Sequence, residues 1–143
     1  MSAETHHRLV TRLVEKINRN ANHIIHTEHH RMDDARIAVL AYGSTARSAR
    51  RAVNDARRAG IPAGFIRLVS LWPFPESQIK QIAEQVDAFI VAEMNLGQMS
   101  LELERHVRQP VVGVHHAGGV MMSPERILGV IQEVASRGNN HRS

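Results

Sequence analysis

The strongest constraint on the fold comes from two continuous apolar runs, at 36–42 (RIAVLAY) and 87–93 (DAFIVAE). Each has the length of a β-strand and lacks the polar alternation of a strand with one face in water. Such strands are typical of a parallel sheet that helices cover on both faces. Shorter apolar runs at 63–68 and 111–115 follow glycine or proline breaks and predict two more strands.

Segments with helical periodicity separate these runs. Apolar residues recur at spacings of three and four in 5–20, which predicts a helix with Thr5 as its N-cap. The alternation of strands and helices predicts an α/β fold with a mostly parallel sheet and right-handed crossovers. The segment 23–29 is β-branched at Ile24, Ile25 and Thr27, so we assign it to a strand and expect it to pair with 36–42 as an antiparallel hairpin. The remaining helices are predicted after the turn 43–45, over 76–84, from 95–97 to about Val107, and from 123–125 onward.

Composition excludes several classes of protein. There is no run of about 18 apolar residues, so we expect no membrane span. The formal net charge is +4, but no nucleic-acid reading motif accompanies it and aromatic residues make up only 3% of the chain, so nucleic acid is not an expected partner. The chain has no cysteine, which rules out disulfides and thiolate-held iron–sulfur clusters within it. We expect a cytoplasmic protein.

The turn after the first apolar run is a candidate anion site. Gly43, Ser44 and Thr45 lie at the start of a predicted helix, where free backbone N–H groups favour anions, and Arg47 follows one turn in. The alternative is that Ser44 or Thr45 only caps the helix, which is the usual role of such residues. We favour the capping role.

Two further features carry titratable groups. Glu93 ends a buried strand, an environment that raises a carboxyl pKa and suits acid–base work; the alternative that we favour is that Glu93 accepts backbone N–H bonds from the turn 94–97. The histidines at 23, 26, 29 and 30 are clustered, but strand geometry places them on opposite faces, and we expect no metal site. The sequence assigns no catalytic residue.

Four strings are more specific than this general pattern. They are AYGSTAR (41–47), RLVSLWPFP (67–75), VAEMNLGQM (91–99) and the late GG with SPERI (118–127). In order and spacing they resemble the end of the alpha subunit of 2-oxoacid:ferredoxin oxidoreductases, with the 2-oxoglutarate type most similar. The resemblance runs from about Thr5 to Arg137.

The resemblance implies a transketolase carboxy-terminal-like domain, a three-layer α/β/α sandwich whose five-stranded sheet has one antiparallel strand. It divides the chain into a leading helix (1–22), the domain (23–137) and a frayed tail (138–143). It implies oxidative decarboxylation of a 2-oxoacid to an acyl-CoA with electrons passing to ferredoxin. In the family, thiamine diphosphate, magnesium and iron–sulfur clusters belong to other segments, so no cofactor-binding residue carries over to this chain. We expect either an excised domain or a fragmentary gene product.

What carries over is membership of motif loops that are structural or interfacial. The interface candidates are Trp72, Pro73, Phe74, Pro75, Glu93, Asn95, Gly97 and Gln98. The implied partners are the other domains of the alpha subunit and the beta subunit, with ferredoxin and coenzyme A at the level of the whole enzyme and a homodimer as a further arrangement. A free-standing α/β module that binds an anion or nucleotide is the alternative function.

Overall fold

The computed structural model describes residues 2–140 and contains a five-stranded sheet with strand order β1-β3-β2-β4-β5. The pairs β2–β3, β2–β4 and β4–β5 are parallel, and β1 is antiparallel to β3. The predicted mostly parallel sheet with one antiparallel strand is confirmed. The strands are β1 (Thr27–His30), β2 (Ile37–Tyr42), β3 (Ala63–Leu68), β4 (Ala88–Glu93) and β5 (Val111–His115).

Helices cover both faces of the sheet and complete the three-layer sandwich. They are α1 (Ala3–Arg19), α2 (Ala21–Ile24), α3 (Thr45–Arg58), α4 (Glu76–Ala83), α5 (Gln98–Glu104) and α6 (Pro124–Asn140). On one face α3 and α6 pack side by side, with Ala49, Val53, Ile127 and Ile131 in one apolar cluster. On the other face α4 and α5 contribute Ile79 and Leu103, among others, to a second cluster.

The central strands divide their side chains between these two clusters. In β2, Val39 packs towards α3 and α6 whereas Ala38 and Leu40 pack towards α4 and α5. This division follows from the alternation of side chains along a strand, and it explains why the interiors of the runs 36–42 and 87–93 have no polar position. Small residues on the buried face of α3, such as Ala49 and Ala52, let that helix lie close to the sheet.

The predicted hairpin between the first two strands is wrong. β1 pairs with β3, with Glu28 opposite Arg67, and β2 lies between two parallel neighbours. The reason is that an entirely buried strand such as β2 needs a partner on each side, and the crossovers through α3 and the later helices supply β3 and β4. The polar sequence TEHH of β1 suits an edge position.

The antiparallel direction of β1 fixes where the chain enters the sheet. Thr27 at its start pairs with Leu68 at the end of β3. Just before it, the His26 N–H donates to Ser70 Oγ at 2.8 Å, and the His26 carbonyl accepts from the Val69 N–H at 3.0 Å. The chain therefore enters at the edge where the parallel strands end, which we call the carboxyl edge.

The ends of the chain differ in detail from the expectation. α1 begins earlier than predicted because Ser2, and not Thr5, is the N-cap, and Ser2 Oγ accepts from the Thr5 N–H at 3.2 Å. α1 buries none of its residues, and the first part of the segment 23–29 belongs to α2. α6 continues through Gly138 to Asn140, and 141–143 of the expected frayed tail lie outside the described residues.

Within residues 2–140, no helix is both long enough and apolar enough to cross a membrane.

Candidate functional site

The loop after β4 is organised by the carboxylate of Glu93. The side chain is fully buried and accepts hydrogen bonds from the backbone N–H groups of Met99 (2.9 Å) and Ser100 (3.0 Å) and from Ser100 Oγ (2.7 Å). The Tyr42 hydroxyl adds a fourth donor at 3.2 Å. The structural role that we favoured is therefore correct in kind, but the donors lie in the first turn of α5 and not in the turn 94–97.

The pKa of Glu93 moves in the direction opposite to the one expected from its place at the end of a buried strand. Burial pushes this pKa up, but the hydrogen bonds from the Ser100 side chain and from the backbone of Met99 and Ser100 outweigh it, and the pKa is lowered. Burial and the adjacent Glu93 charge raise the pKa of Tyr42. The pair thus favours a charged carboxylate beside a neutral phenol, and their hydrogen bond helps to hold the loop.

The turn between β4 and α5 is closed by side chains from the same edge. Asn95 Oδ1 accepts from the N–H groups of Gly97 (2.8 Å) and Gln98 (3.2 Å), and its amide donates to the Tyr42 hydroxyl at 2.6 Å. Gly97 has φ +102°, and a Cβ there would lie 2.7 Å from Cε1 of His115. Glycine is therefore required at 97 both for its backbone conformation and for the space beneath the imidazole.

Four interface candidates from the sequence lie in or beside this turn, and they differ in how far they are buried. Glu93 and Gly97 are buried, which favours the structural alternative for these two residues. Asn95 is partly buried and Gln98 is exposed. The neighbouring Leu96 is 82% exposed, so the same turn does present an apolar side chain outward.

The loop after β3 is arranged in the opposite way. Trp72 is 61% exposed and Leu71 is also exposed, whereas Pro75 is buried. Phe74 is half-buried, packs against the apolar cluster under α4 and α5, and stacks on His106 with ring centroids 4.8 Å apart. One aromatic ring anchors the loop and the other faces solvent.

The candidate anion turn after β2 lines an open cavity of about 550 Å³. Ser44 occupies the capping position of α3, but its side chain makes no capping hydrogen bond because its backbone is already helical; the capping role that we favoured is wrong for Ser44. Gly43 has φ +56°, and Thr45 is buried. Arg47 lines the cavity together with three arginines that the sequence analysis passed over, Arg50, Arg51 and Arg67, and we call this feature the arginine groove.

The signals that could have located these residues are geometric. Arg47, Arg50, Arg51 and Asn54 have the spacing of one helix face, and Phe65 and Arg67 alternate onto one face of β3. Tyr42 and Glu93 end neighbouring parallel strands, so they meet at the carboxyl edge. The pairing of Glu93 with Ser100, by contrast, depends on the path of the turn 94–97, which no periodicity specifies.

Among residues 2–140 no three His, Asp or Glu side chains converge in a way that could hold an ion. His30 contacts Asn54 Oδ1 at 2.8 Å, and His115 lies 3.0 Å from Ser100 Oγ. With no cysteine in the sequence, the residues present do not fit an iron–sulfur cluster.

Comparison with known proteins decides the family. The family model described as pyruvate:ferredoxin oxidoreductase core domain II matches residues 35–127, more than half of the chain. The chain belongs to this family.

Relatives of this core domain II carry the names of different 2-oxoacid enzymes. The chain is 40% identical over 130 residues to a 2-oxoglutarate synthase subunit KorA of Methanothermobacter thermautotrophicus, covering 90% of the chain and 35% of that protein. It is 36% identical over 114 residues to a ketoisovalerate oxidoreductase subunit VorB of Methanothermobacter marburgensis, covering 79% and 32%. The chain thus spans about a third of the length of these curated relatives.

Solved structures confirm the fold of this core domain II. A 2-oxoglutarate:ferredoxin oxidoreductase from Magnetococcus marinus, with 2-oxoglutarate, coenzyme A and succinyl-CoA bound, superposes with a TM-score of 0.79 at 22% identity, over 92% of this chain and 23% of that one. A split-gene transketolase, described as an inactive β4 tetramer, gives a TM-score of 0.64 at 17% identity, over 73% and 39%. The transketolase-like fold implied by the sequence is confirmed.

Proposed function

We propose that this core domain II is the non-catalytic carboxy-terminal domain of the alpha subunit of a 2-oxoacid:ferredoxin oxidoreductase. In that enzyme it would act as a scaffold and contact surface for the other domains of the alpha subunit and for the beta subunit. The reaction would be oxidative decarboxylation of a 2-oxoacid, 2-oxoglutarate before others, to its acyl-CoA with electrons passing to ferredoxin. We place the enzyme in the cytoplasm.

One observation carries this proposal: the loops at the carboxyl edge hold Glu93, Tyr42 and Asn95 inward and leave several apolar side chains exposed. The Tyr42 hydroxyl donates to Glu93, and the Asn95 amide donates to the Tyr42 hydroxyl. Glu93 also accepts from the Met99 N–H. The exposed apolar residues of the same edge come from the loops after β3, β4 and β5, and they are Val69, Leu71, Trp72, Leu96, Val120 and Met121. Exposed apolar groups of this kind mark contact surfaces, and tryptophan is enriched among the contacts that dominate binding.

The residues do not support a catalytic role for this part of the chain. Thiamine diphosphate and magnesium would require a diphosphate-binding site with oxygen ligands for the ion, and no convergent acidic set of that kind exists among the described residues. We therefore assign thiamine diphosphate, magnesium and the clusters to other segments of the enzyme. The identity to both 2-oxoglutarate and ketoisovalerate relatives supports a domain that does not itself select the substrate. Family membership favours this function over a free-standing module.

The test is co-expression of the chain with the thiamine-binding segments encoded beside it, followed by size-exclusion chromatography. We expect a complex to form, and we expect Trp72→Ala to raise its dissociation constant at least tenfold. The matched control is Leu101→Ala, which removes an exposed apolar side chain of α5 outside the carboxyl-edge loops. Equal weakening by both variants, or a complex indifferent to Trp72→Ala, would contradict the proposed contact surface.

A further inference from the structure

The arginine groove lies between α3 and the outer strands of the sheet. The polar strand β1 adds no residue to the apolar cluster under α3 and α6, although His30 at its end contacts Asn54 of α3. Phe65 and Arg67 of β3 form its floor with Glu28 of β1, and one face of α3 forms its wall.

The wall of the groove is positively charged without full compensation. Arg51 Nε donates to Asp55 at 3.0 Å, and Arg67 Nη1 donates to Glu28 at 3.1 Å. Arg47 and Arg50, by contrast, have no hydrogen-bond or ion-pair partner within residues 2–140. Like charges three and four residues apart on a helix destabilise it, so this face lowers the stability of α3 until an anion neutralises it.

The side chain of Arg67 is partly exposed and lines the groove. Its Nε–H has no acceptor in the described part of the chain, but this atom is shielded from solvent, so only the guanidinium end is accessible to a ligand. Arg67 stands on β3, across the groove from α3, so guanidinium groups flank the cavity on two sides. Arginine binds carboxylate and phosphate through paired N–H donors, which a single lysine cannot do.

The lining adds apolar surface to this charge. Ala46 and Phe65 contribute apolar atoms to the cavity, and Met121 reaches it from the loop after β5. The cavity of about 550 Å³ falls within the range of sites for small molecules, about 300–1,000 Å³. Both the size and the mixed lining fit an organic anion better than an inorganic ion.

We propose that the arginine groove binds a small organic dianion, either a phosphate monoester or a dicarboxylate. The two uncompensated charges of Arg47 and Arg50 match the two negative charges of the ligand. Its organic part lies against Ala46, Phe65 and Met121. The groove shares Met121 with the exposed apolar residues of the carboxyl edge but does not include Trp72, so this site adds ligand binding to a domain that otherwise acts as a scaffold.

The experiment measures binding to the purified chain by calorimetry and by amide shifts in NMR spectra, at constant ionic strength. The probes are phenyl phosphate and succinate as the two kinds of dianion, acetate as a monoanion and phenol as an uncharged analogue. The test variant is R47Q/R50Q, which keeps polar side chains with the same first three carbons and removes both charges. The matched control is R8Q/R12Q on α1, which changes the net charge equally at two exposed residues.

We expect one dianion to bind with a Kd below about 1 mM, with the largest shifts at the residues of the arginine groove. R47Q/R50Q should weaken this binding at least tenfold, whereas R8Q/R12Q should leave it within twofold. Tight binding of phenyl phosphate alone identifies a phosphate monoester, and tight binding of succinate alone identifies a dicarboxylate.

Three results overturn the proposal. One is a Kd above about 10 mM for both dianions. Another is equal weakening by the two double variants, which shows attraction to net charge only. The third is binding of acetate as tight as that of the dianions. Circular dichroism of each variant establishes that it is folded, and the single variant R47Q, with an expected loss of at least threefold, replaces the double variant if that one does not fold.

Discussion

The loop after β4 and the loop after β3 carry equally distinctive strings at the same edge of the sheet, yet they use their side chains in opposite ways. EMNLGQ closes on itself: Glu93 is buried among four donors, and Asn95 and Gly97 complete the turn. LWPFP opens outward: Trp72 stands in solvent while Phe74 holds the loop down. The comparison shows that a distinctive string can specify either an internal hydrogen-bond network or an external surface.

The largest loss of stability should come from removing the carboxylate at the centre of the internal hydrogen-bond network. Glu93→Ala leaves the N–H groups of Met99 and Ser100 and two hydroxyls without an acceptor, so we expect a loss of about 4 kcal/mol in the free energy of unfolding. Chemical denaturation measures it. Glu104→Ala, at an exposed glutamate of α5, is the control and should cost less than about 0.5 kcal/mol. A similar small cost for Glu93→Ala would show that the buried carboxylate does not hold the loop.

A smaller effect should come from crowding the same turn. Gly97→Ala combines an unfavourable backbone conformation with a clash against His115, and we expect a cost of about 2–3 kcal/mol. Gly43→Ala is the matched change, because Gly43 also has a positive φ but has open space around it, and it should cost only about 1 kcal/mol. Thermal unfolding of both variants separates clash from backbone strain, and equal costs would rule out the contact with His115.

Lowering the pH should reduce the free energy of unfolding by less than the Glu93→Ala substitution does. The pKa of Glu93 in the folded protein lies below its ordinary value of 4.5, so its contribution to stability is present above that pH and is lost as the pH falls through the folded pKa. The difference in unfolding free energy between the parent and Glu93→Gln should therefore narrow between pH 7 and pH 3. Tyr42 and His115 also face Glu93, and Tyr42→Phe serves as the control for the phenol. A difference that stays constant with pH would contradict the lowered pKa.

The smallest effect on stability is expected in the outward loop. Trp72→Ala removes mostly solvent-exposed surface, so the free energy of unfolding should change by less than about 0.5 kcal/mol. Phe74→Ala removes the ring that packs against the cluster and should cost about 2 kcal/mol, below the range for a fully buried ring. Thermal melting of the two variants compares the two roles directly. A loss of several kcal/mol for Trp72→Ala would make it a core residue and would remove the main support for a contact surface.

The sequence predicted the parts of the fold that depend on burial and periodicity. The runs of β2 and β4 and the stripes of α3 and α6 were located because a buried strand or helix face must be apolar at a fixed spacing. The pairing of β1 was missed because it depends on which strand needs a neighbour, a property of the whole sheet. The donors to Glu93 and the second side of the arginine groove were missed for a related reason, since Ser100 and Arg67 reach them through the path of a turn and across the sheet.

Because the chain enters the sheet at the carboxyl edge, a contact surface at that edge can function with low intrinsic affinity. α1 leads through α2 to His26, which is hydrogen bonded to Ser70 in the loop that carries Trp72. At about 1.5 Å per residue, α1 is roughly 25 Å long. A domain joined covalently to the start of α1 would be held within roughly this distance of the loop that carries Trp72, at an effective concentration on the order of millimolar. Within one polypeptide, a few apolar side chains are then enough for docking that separate molecules at cellular concentrations would not achieve.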